Sequence, residues 1–127
     1  MGDGHAIVIE GRRPEDLPRR TLAAYDREIG IELVYEDPAG EEHYLVHYPA
    51  GLRARTHRHP GAQTIVVLDG RLAVEDRVLG PGGYCHFPAG EAMFHAPARG
   101  SDCFFLTIFH GPSDVEILDR DPRPASV

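Results

Sequence analysis

Short runs of β-branched and aromatic residues alternate along this chain with glycine, proline and Asp-Gly breaks, the spacing of an all-β sandwich or barrel. Ala6 to Ile9 (AIVI) reads as a first strand. Residues 12–28 are charged and carry Pro14 and Pro18, with room for one short helix around Leu22 to Glu28. Ile31 to Tyr35 reads as a strand, Asp37-Pro38-Ala39-Gly40 as a turn and Glu42 to Tyr48 as the returning strand, broken by Pro49-Ala50-Gly51. Thr64 to Leu68 (TIVVL) is a strongly β-branched strand stopped by Asp69-Gly70, a tight-turn signal. Leu72 to Val74 and Val78 to Leu79 flank Glu75-Asp76-Arg77 as a hairpin, and Gly80-Pro81-Gly82-Gly83 makes the next turn. Tyr84 to Phe87 is a strand closed by Pro88-Ala89-Gly90. Cys103 to Phe109 (CFFLTIF) is apolar on both faces, which predicts a central, covered strand. Residues 120–127 (RDPRPASV) read as a loose tail. The sum is eight to ten short strands, one helical patch at most, and no repeats.

The 127 residues suit a single domain, with its core over about residues 31–119. A chain of this size buries a core without disulfides or metal, so a metal here would serve chemistry or binding rather than folding. The net charge of −7 argues against DNA, RNA and anionic membranes as partners, since all three ask for basic patches. It suits a protein that binds a small molecule. No apolar run approaches the roughly 18 residues of a membrane helix. The opening MGDGHAIVIEGRRPED lacks a basic start followed by an apolar core, so a cytoplasmic location is expected. Cys85 and Cys103 stand in apolar stretches outside any Cys-x-x-Cys pair and read as buried thiols, with a disulfide open to them only if their strands are neighbours.

Candidate chemistry rests on histidine spacing. His57 and His59 are two apart, so on a strand both imidazoles point to one face and reach one ion. Gln63 begins the next apolar run and His95 follows the Pro88-Ala89-Gly90 turn. Neutral imidazole suits zinc, copper, iron and nickel. Strand alternation puts Arg53 and Arg55 on the His57 face, where either guanidinium would pair with a substrate carboxylate, and Arg58 on the other. The competing reading is a solvated strand on which His57, His59 and the arginines are plain surface. His86, between Cys85 and Phe87, reads as a core or rim histidine. His43 and His47 share a face opposite Tyr44 and Tyr48 but lie too far apart to chelate together. His5 and His110 read as surface groups, and Phe104, Phe105, Leu106 and Ile108 as core or subunit interface.

The run Gly51-LRART-His57-Arg58-His59-PGA-Gln63-TIVVLD-Gly70 resembles the first motif of the cupin family, with every interval in register and glutamine in place of the family's glutamate. Gly82-GYCHF-Pro88-Ala89-Gly90-EAMF-His95 resembles the second motif less closely. The family's second-motif histidine falls on Met93, with His95 two residues further on, and Arg99 replaces the family's asparagine. With its flanks the resemblance spans Tyr44 to Phe109. It implies an antiparallel double-stranded β-helix, the jelly-roll barrel. It also implies one divalent metal (iron, nickel, manganese or zinc) in the barrel mouth, held by His57, His59 and the second-motif histidine. A loop two residues longer would bring His95 to that place, whereas Met93 as a thioether ligand is the poorer alternative. Gln63 either ligates the ion as a neutral amide or orients a bound water or substrate.

The resemblance implies a metal-dependent enzyme acting on a small organic substrate, a dioxygenase first and an isomerase or lyase next. The competing class is a ligand-binding or sensory cupin without turnover. A metal-free barrel is disfavoured by the retained histidines. A homodimer is expected from the habit of small cupins.

Overall fold

The computed structural model describes residues 6–127, and His5 lies outside them. The chain forms a 3-10 turn at Pro14–Asp16 and eleven strands. These are β1 (Arg19–Arg20), β2 (Ile29–Glu36), β3 (Glu42–Tyr48), β4 (His57–Arg58), β5 (Gln63–Gly70), β6 (Leu72–Val74), β7 (Arg77–Leu79), β8 (Tyr84–Phe87), β9 (His95–Pro97), β10 (Cys103–Phe109) and β11 (Glu116–Ile117). Six make one sheet in the order β1-β2-β3-β10-β5-β8. Two smaller sheets, β11-β4 and β7-β6-β9, complete an all-β jelly roll. Every strand pair among the described residues is antiparallel.

Alternation decides which residues enter the core. Val46 and Tyr48 of β3, Ile65 and Val67 of β5, and Cys103 and Phe105 of β10 are all buried. They pack in one cluster with Leu72, Ala73, Phe94 and Ala96 from the smaller three-stranded sheet and the residue leading into it. β10 is central, flanked by β3 and β5. On its outer face Phe104 is buried, while Leu106 and Ile108 are half-buried.

Asp69-Gly70 does not close a hairpin between adjacent strands. β5 runs through Gly70, and the chain then leaves the large sheet for β6, which pairs with β7 and β9. Glycine is required here: φ is +73°, and a Cβ would lie 2.2 Å from the Asp102 carbonyl oxygen. Gly70→Ala is therefore expected to cost at least ~2 kcal/mol, from the left-handed backbone and the clash together, read as a lower midpoint in urea unfolding.

Three local expectations are corrected. Ala6 to Ile9 form no strand and are exposed; the segment that pairs with the outer side of β2 is Arg19–Arg20, at Ile29 and Gly30. Leu22 to Glu28 form no helix. Their backbone is claimed by the segment before β4: Arg55 N–H donates to Ala24 O at 2.7 Å, Asp26 N–H donates to Arg53 O at 3.2 Å, and Tyr25 bridges Ala54. Residues 120–127 are tied down rather than loose. Arg123 bridges Ala54 and lays its guanidinium 3.6 Å from the centre of the Phe94 ring, Ala125 is buried, and Arg99 N–H donates to Val127 O at 2.8 Å. Both cysteines are free. Cys103 is buried and Cys85 half-buried, on strands separated by β5.

Candidate metal and substrate site

A cavity of about 290 Å³ opens between the large sheet and β4, and His57, His59, Gln63 and His95 all line it. β4 is only two residues long, but alternation holds through it: His57 and His59 are buried and Arg58 between them is exposed, paired to Glu116 of β11 at 2.9 Å. The backbone of His57 and that of Met93 form a bridge, with N–H to carbonyl distances of 2.8 and 3.0 Å. That bridge fixes the register of the segment entering β9 and sets His95, two residues on, beside His57. The His57–His59 and His57–His95 ring centres lie 5.0 and 5.2 Å apart. Met93 is buried outside the cavity lining.

Each imidazole is held by its Nδ1. His57 Nδ1–H donates to Arg55 O at 2.9 Å. His59 Nδ1–H is shared between the carbonyls of Ser113 and Asp114, both at 3.0 Å. Close packing of Gly61 on Gly111 allows the 113–114 segment to reach His59, since a Cβ on Gly61 would lie 2.8 Å from the Gly111 backbone. A carbonyl oxygen only accepts, so both rings carry their proton on Nδ1 and present a bare Nε2. His95 Nδ1 meets the Tyr48 hydroxyl at 3.0 Å, and the two rings lie nearly parallel. Tyr48 is hydrogen-bonded in turn to the Tyr25 hydroxyl.

Gln63 is oriented by the same kind of reasoning. Thr107 Oγ1 spends its hydrogen on Thr64 O at 3.0 Å, so it accepts from Gln63 Nε2 at 2.9 Å. The amide oxygen is thereby turned away from Thr107. Gln63 Oε1 and His95 Nε2 are both buried without a hydrogen-bond partner among the described residues. Unpartnered buried polar atoms are costly, and two in one cavity mark a place for a ligand. Three imidazole nitrogens and an amide oxygen are a donor set that fits a divalent transition ion. Among the described residues, however, no group of three or more His, Cys, Asp or Glu side chains is placed so as to hold a metal ion as it stands.

Burial keeps His57 and His95 neutral. Burial lowers the His57 pKa to about 4, with the neighbouring His59 adding to the shift and the Arg55 carbonyl opposing it. Burial, then His57 and His59, holds His95 well below the ordinary histidine range. Burial raises Tyr25 to about 12 and Tyr48 well above 10, so both keep their protons at neutral pH.

Neither Arg53 nor Arg55 lines the cavity. Residues 53–56 are outside β4, so strand alternation does not extend to them. Arg55 donates to the carbonyls of Arg120 and Ala23, and Arg53 is exposed. The arginine in the cavity lining is Arg20, from the short edge strand β1. The remaining walls come from Ile29, Val46, Phe105 and Phe109. The other described histidines stand elsewhere: His43 pairs with Glu41 and His47 with Asp102, while His86 and His110 both meet the Thr64 hydroxyl. The site residues that sequence reading missed are Tyr25, Tyr48, Thr107 and Arg20. The signal for Tyr48 was its alternation with His47.

No curated protein matches the sequence. Among solved structures, the polyketide cyclase RemF from Streptomyces resistomycificus superposes with a TM-score of 0.69 at 18% identity, over 92% of this chain and 90% of that one. An acetylacetone dioxygenase from Acinetobacter johnsonii gives 0.69 at 16% identity, over 94% and 83%. The complex of Rhodobacter sphaeroides SigE with the anti-sigma ChrR gives 0.62 at 24% identity, covering 77% of this chain and 52% of that one. At such identities these likenesses establish the fold, which is that of the cupins. Residues 14–114 match the family described as the ChrR cupin-like domain, and this chain is a member of that family.

Proposed function

We propose that the protein holds one divalent transition metal (iron, nickel, manganese or zinc) on His57, His59 and His95, with Gln63 beside it, and acts on a small organic molecule bound in the cavity. The observation that carries this reading is the pair of unpartnered buried atoms, His95 Nε2 and Gln63 Oε1, in a cavity that His57 and His59 enter with their Nδ1 atoms already engaged. When bound, such an ion would supply Lewis-acid activation of a substrate oxygen or, if it is iron, a centre for oxygen chemistry. The protein's own residues bind and shield. Ile29, Val46, Phe105 and Phe109 enclose the apolar body of the substrate, and Arg20 offers a cation to an anionic group. Gln63, a neutral amide, leaves the full divalent charge to draw an anionic oxygen. A dioxygenase-like reaction is the first choice, with isomerase or lyase chemistry next. It is supported by the likeness to an acetylacetone dioxygenase.

A second reading, a ligand-sensing barrel that acts through a protein partner, is favoured by the family match and the likeness to the SigE–ChrR complex. Oxygen uptake in the presence of small diketones and carboxylates separates the two. Turnover supports the enzyme, whereas tight binding without uptake supports the sensor.

Metal content by mass spectrometry tests the site itself. About one equivalent is expected in the untagged protein, with metal largely lost in His57→Ala and His95→Ala. Metal-free protein after reconstitution with iron, nickel, manganese and zinc would overturn the reading.

A further inference from the structure

We propose that Tyr25 is a hydrogen-bond donor to the bound substrate, and that Tyr48 is the positioning residue that links this donor to the metal-binding form of His95. The inference rests on the metal-site reading above.

The three imidazoles are not held alike. His57 and His59 face backbone carbonyls, which fix the Nδ1–H form outright. His95 faces the Tyr48 hydroxyl, which can donate or accept. Tyr48 is followed by a second hydroxyl, that of Tyr25, and each is buried. The three groups form a chain with two possible polarities. In one, Tyr25 donates to Tyr48, Tyr48 donates to His95 Nδ1, and His95 Nε2 carries a proton. In the other, His95 Nδ1–H donates to Tyr48, Tyr48 donates to Tyr25, and Nε2 is bare.

Only the second polarity leaves His95 a metal ligand. In that polarity Tyr25 accepts from Tyr48 and keeps its own hydrogen free. Tyr25 lines the same cavity as the three histidines, and Tyr48 is its hydrogen-bond partner among the described residues. Its O–H is therefore offered to whatever occupies the cavity. Commitment of His95 Nε2 to an ion thus aims a tyrosine donor at the substrate without moving a heavy atom. The preferred substrate class is a compact molecule with an apolar body and a carbonyl or anionic oxygen near Tyr25. The walls of Ile29, Val46 and Phe105 suit that body.

Three measurements on the full chain test this, none of them turnover. In zinc-loaded, 15N-labelled protein, His95 is expected to carry its proton on Nδ1. Tyr48→Phe keeps the ring stacked on His95 but removes its acceptor, and zinc affinity is expected to fall about 10- to 100-fold. Tyr25→Phe leaves the Tyr48 hydroxyl without its acceptor, so zinc affinity is expected to fall, though less than in Tyr48→Phe, and the binding of acetohydroxamate, an oxygen-donor probe, to the zinc-saturated form is expected to weaken by roughly tenfold. A proton on His95 Nε2 in the zinc form, unchanged zinc affinity in Tyr48→Phe, or acetohydroxamate binding that is absent in wild type or unchanged in Tyr25→Phe would each overturn the relay while leaving the metal site standing. Wild-type protein that takes up no zinc, iron, nickel or manganese overturns the metal site, and the relay with it.

Discussion

Metal-free protein is expected to lose roughly 3 kcal/mol of stability between pH 6.5 and pH 4 through His57 alone. Burial holds this imidazole neutral in the fold, with its pKa lowered from 6.5 to about 4. The unfolded chain takes up the proton below 6.5, whereas the native state takes it up only near 4. Unfolding therefore binds a proton throughout that window, and stability falls with falling pH across it and is fully present above it. His95 acts in the same direction, since burial and the two neighbouring imidazoles depress it as well. Urea unfolding of the metal-free protein at a series of pH values measures the loss. His57→Gln is expected to flatten much of the dependence. A wild-type profile that is already flat would mean that His57 and His95 are not held neutral by burial.

The second large effect is expected at Phe94. Its ring is fully buried, one residue before His95 and one after Met93, whose backbone bridges His57. Arg123 covers its face. Phe94→Ala removes the ring from a close-packed core and should cost about 3–5 kcal/mol. It also removes the surface on which Arg123 rests, so the C-terminal segment should become protease-sensitive before the barrel does. Arg123→Ala loses the cation–π contact, worth about 0.5–1 kcal/mol at an exposed site, and a long, solvent-exposed ion pair with Asp119 that adds little. Equal destabilisation by the two variants would mean that the tail, not the core, carries the energy. Thermal unfolding with limited proteolysis reads both.

What the sequence disclosed about the site follows from how far regular structure extends. His57 and His59 obey strand alternation because β4 covers the one residue step that matters. Arg53 and Arg55 broke the same rule because the chain before His57 is pinned by Ala54 bridges to Tyr25 and Arg123 rather than by a ladder. The opposite faces of β3 were legible from its pattern, yet nothing local says that the tyrosine face is the inner one. That depends on β10 lying beside β3, a pairing of residues 42–48 with residues 103–109 across half the chain. Tyr25 was hidden more deeply, in a segment whose composition suits a helix but whose backbone partners lie some thirty residues away. His95 carried a contrary signal, since the motif places its histidine at position 93. The Met93–His57 bridge resolves that offset, because a backbone contact at 93 brings the side chain at 95 into the cavity.

The six-stranded sheet ends on β1 and β8, and the outcome concerns other copies of the chain rather than the cavity. Exposed backbone along a sheet margin is a template for unwanted polymerisation. On one side Arg19 and Arg20 are exposed and pair only with Gly30 and Ile29, and the rest of β2 beyond them carries Glu32 and Glu36, whose charge repels a like strand. The other margin is four residues long, bracketed by the Gly80–Gly83 turn and Pro88, and proline has no N–H to extend a ladder. A chain rich in β-branched and aromatic strands thus sets charge at one margin and proline at the other, which disfavours pairing with further copies, and it does so at its periphery without loss of apolar character inside.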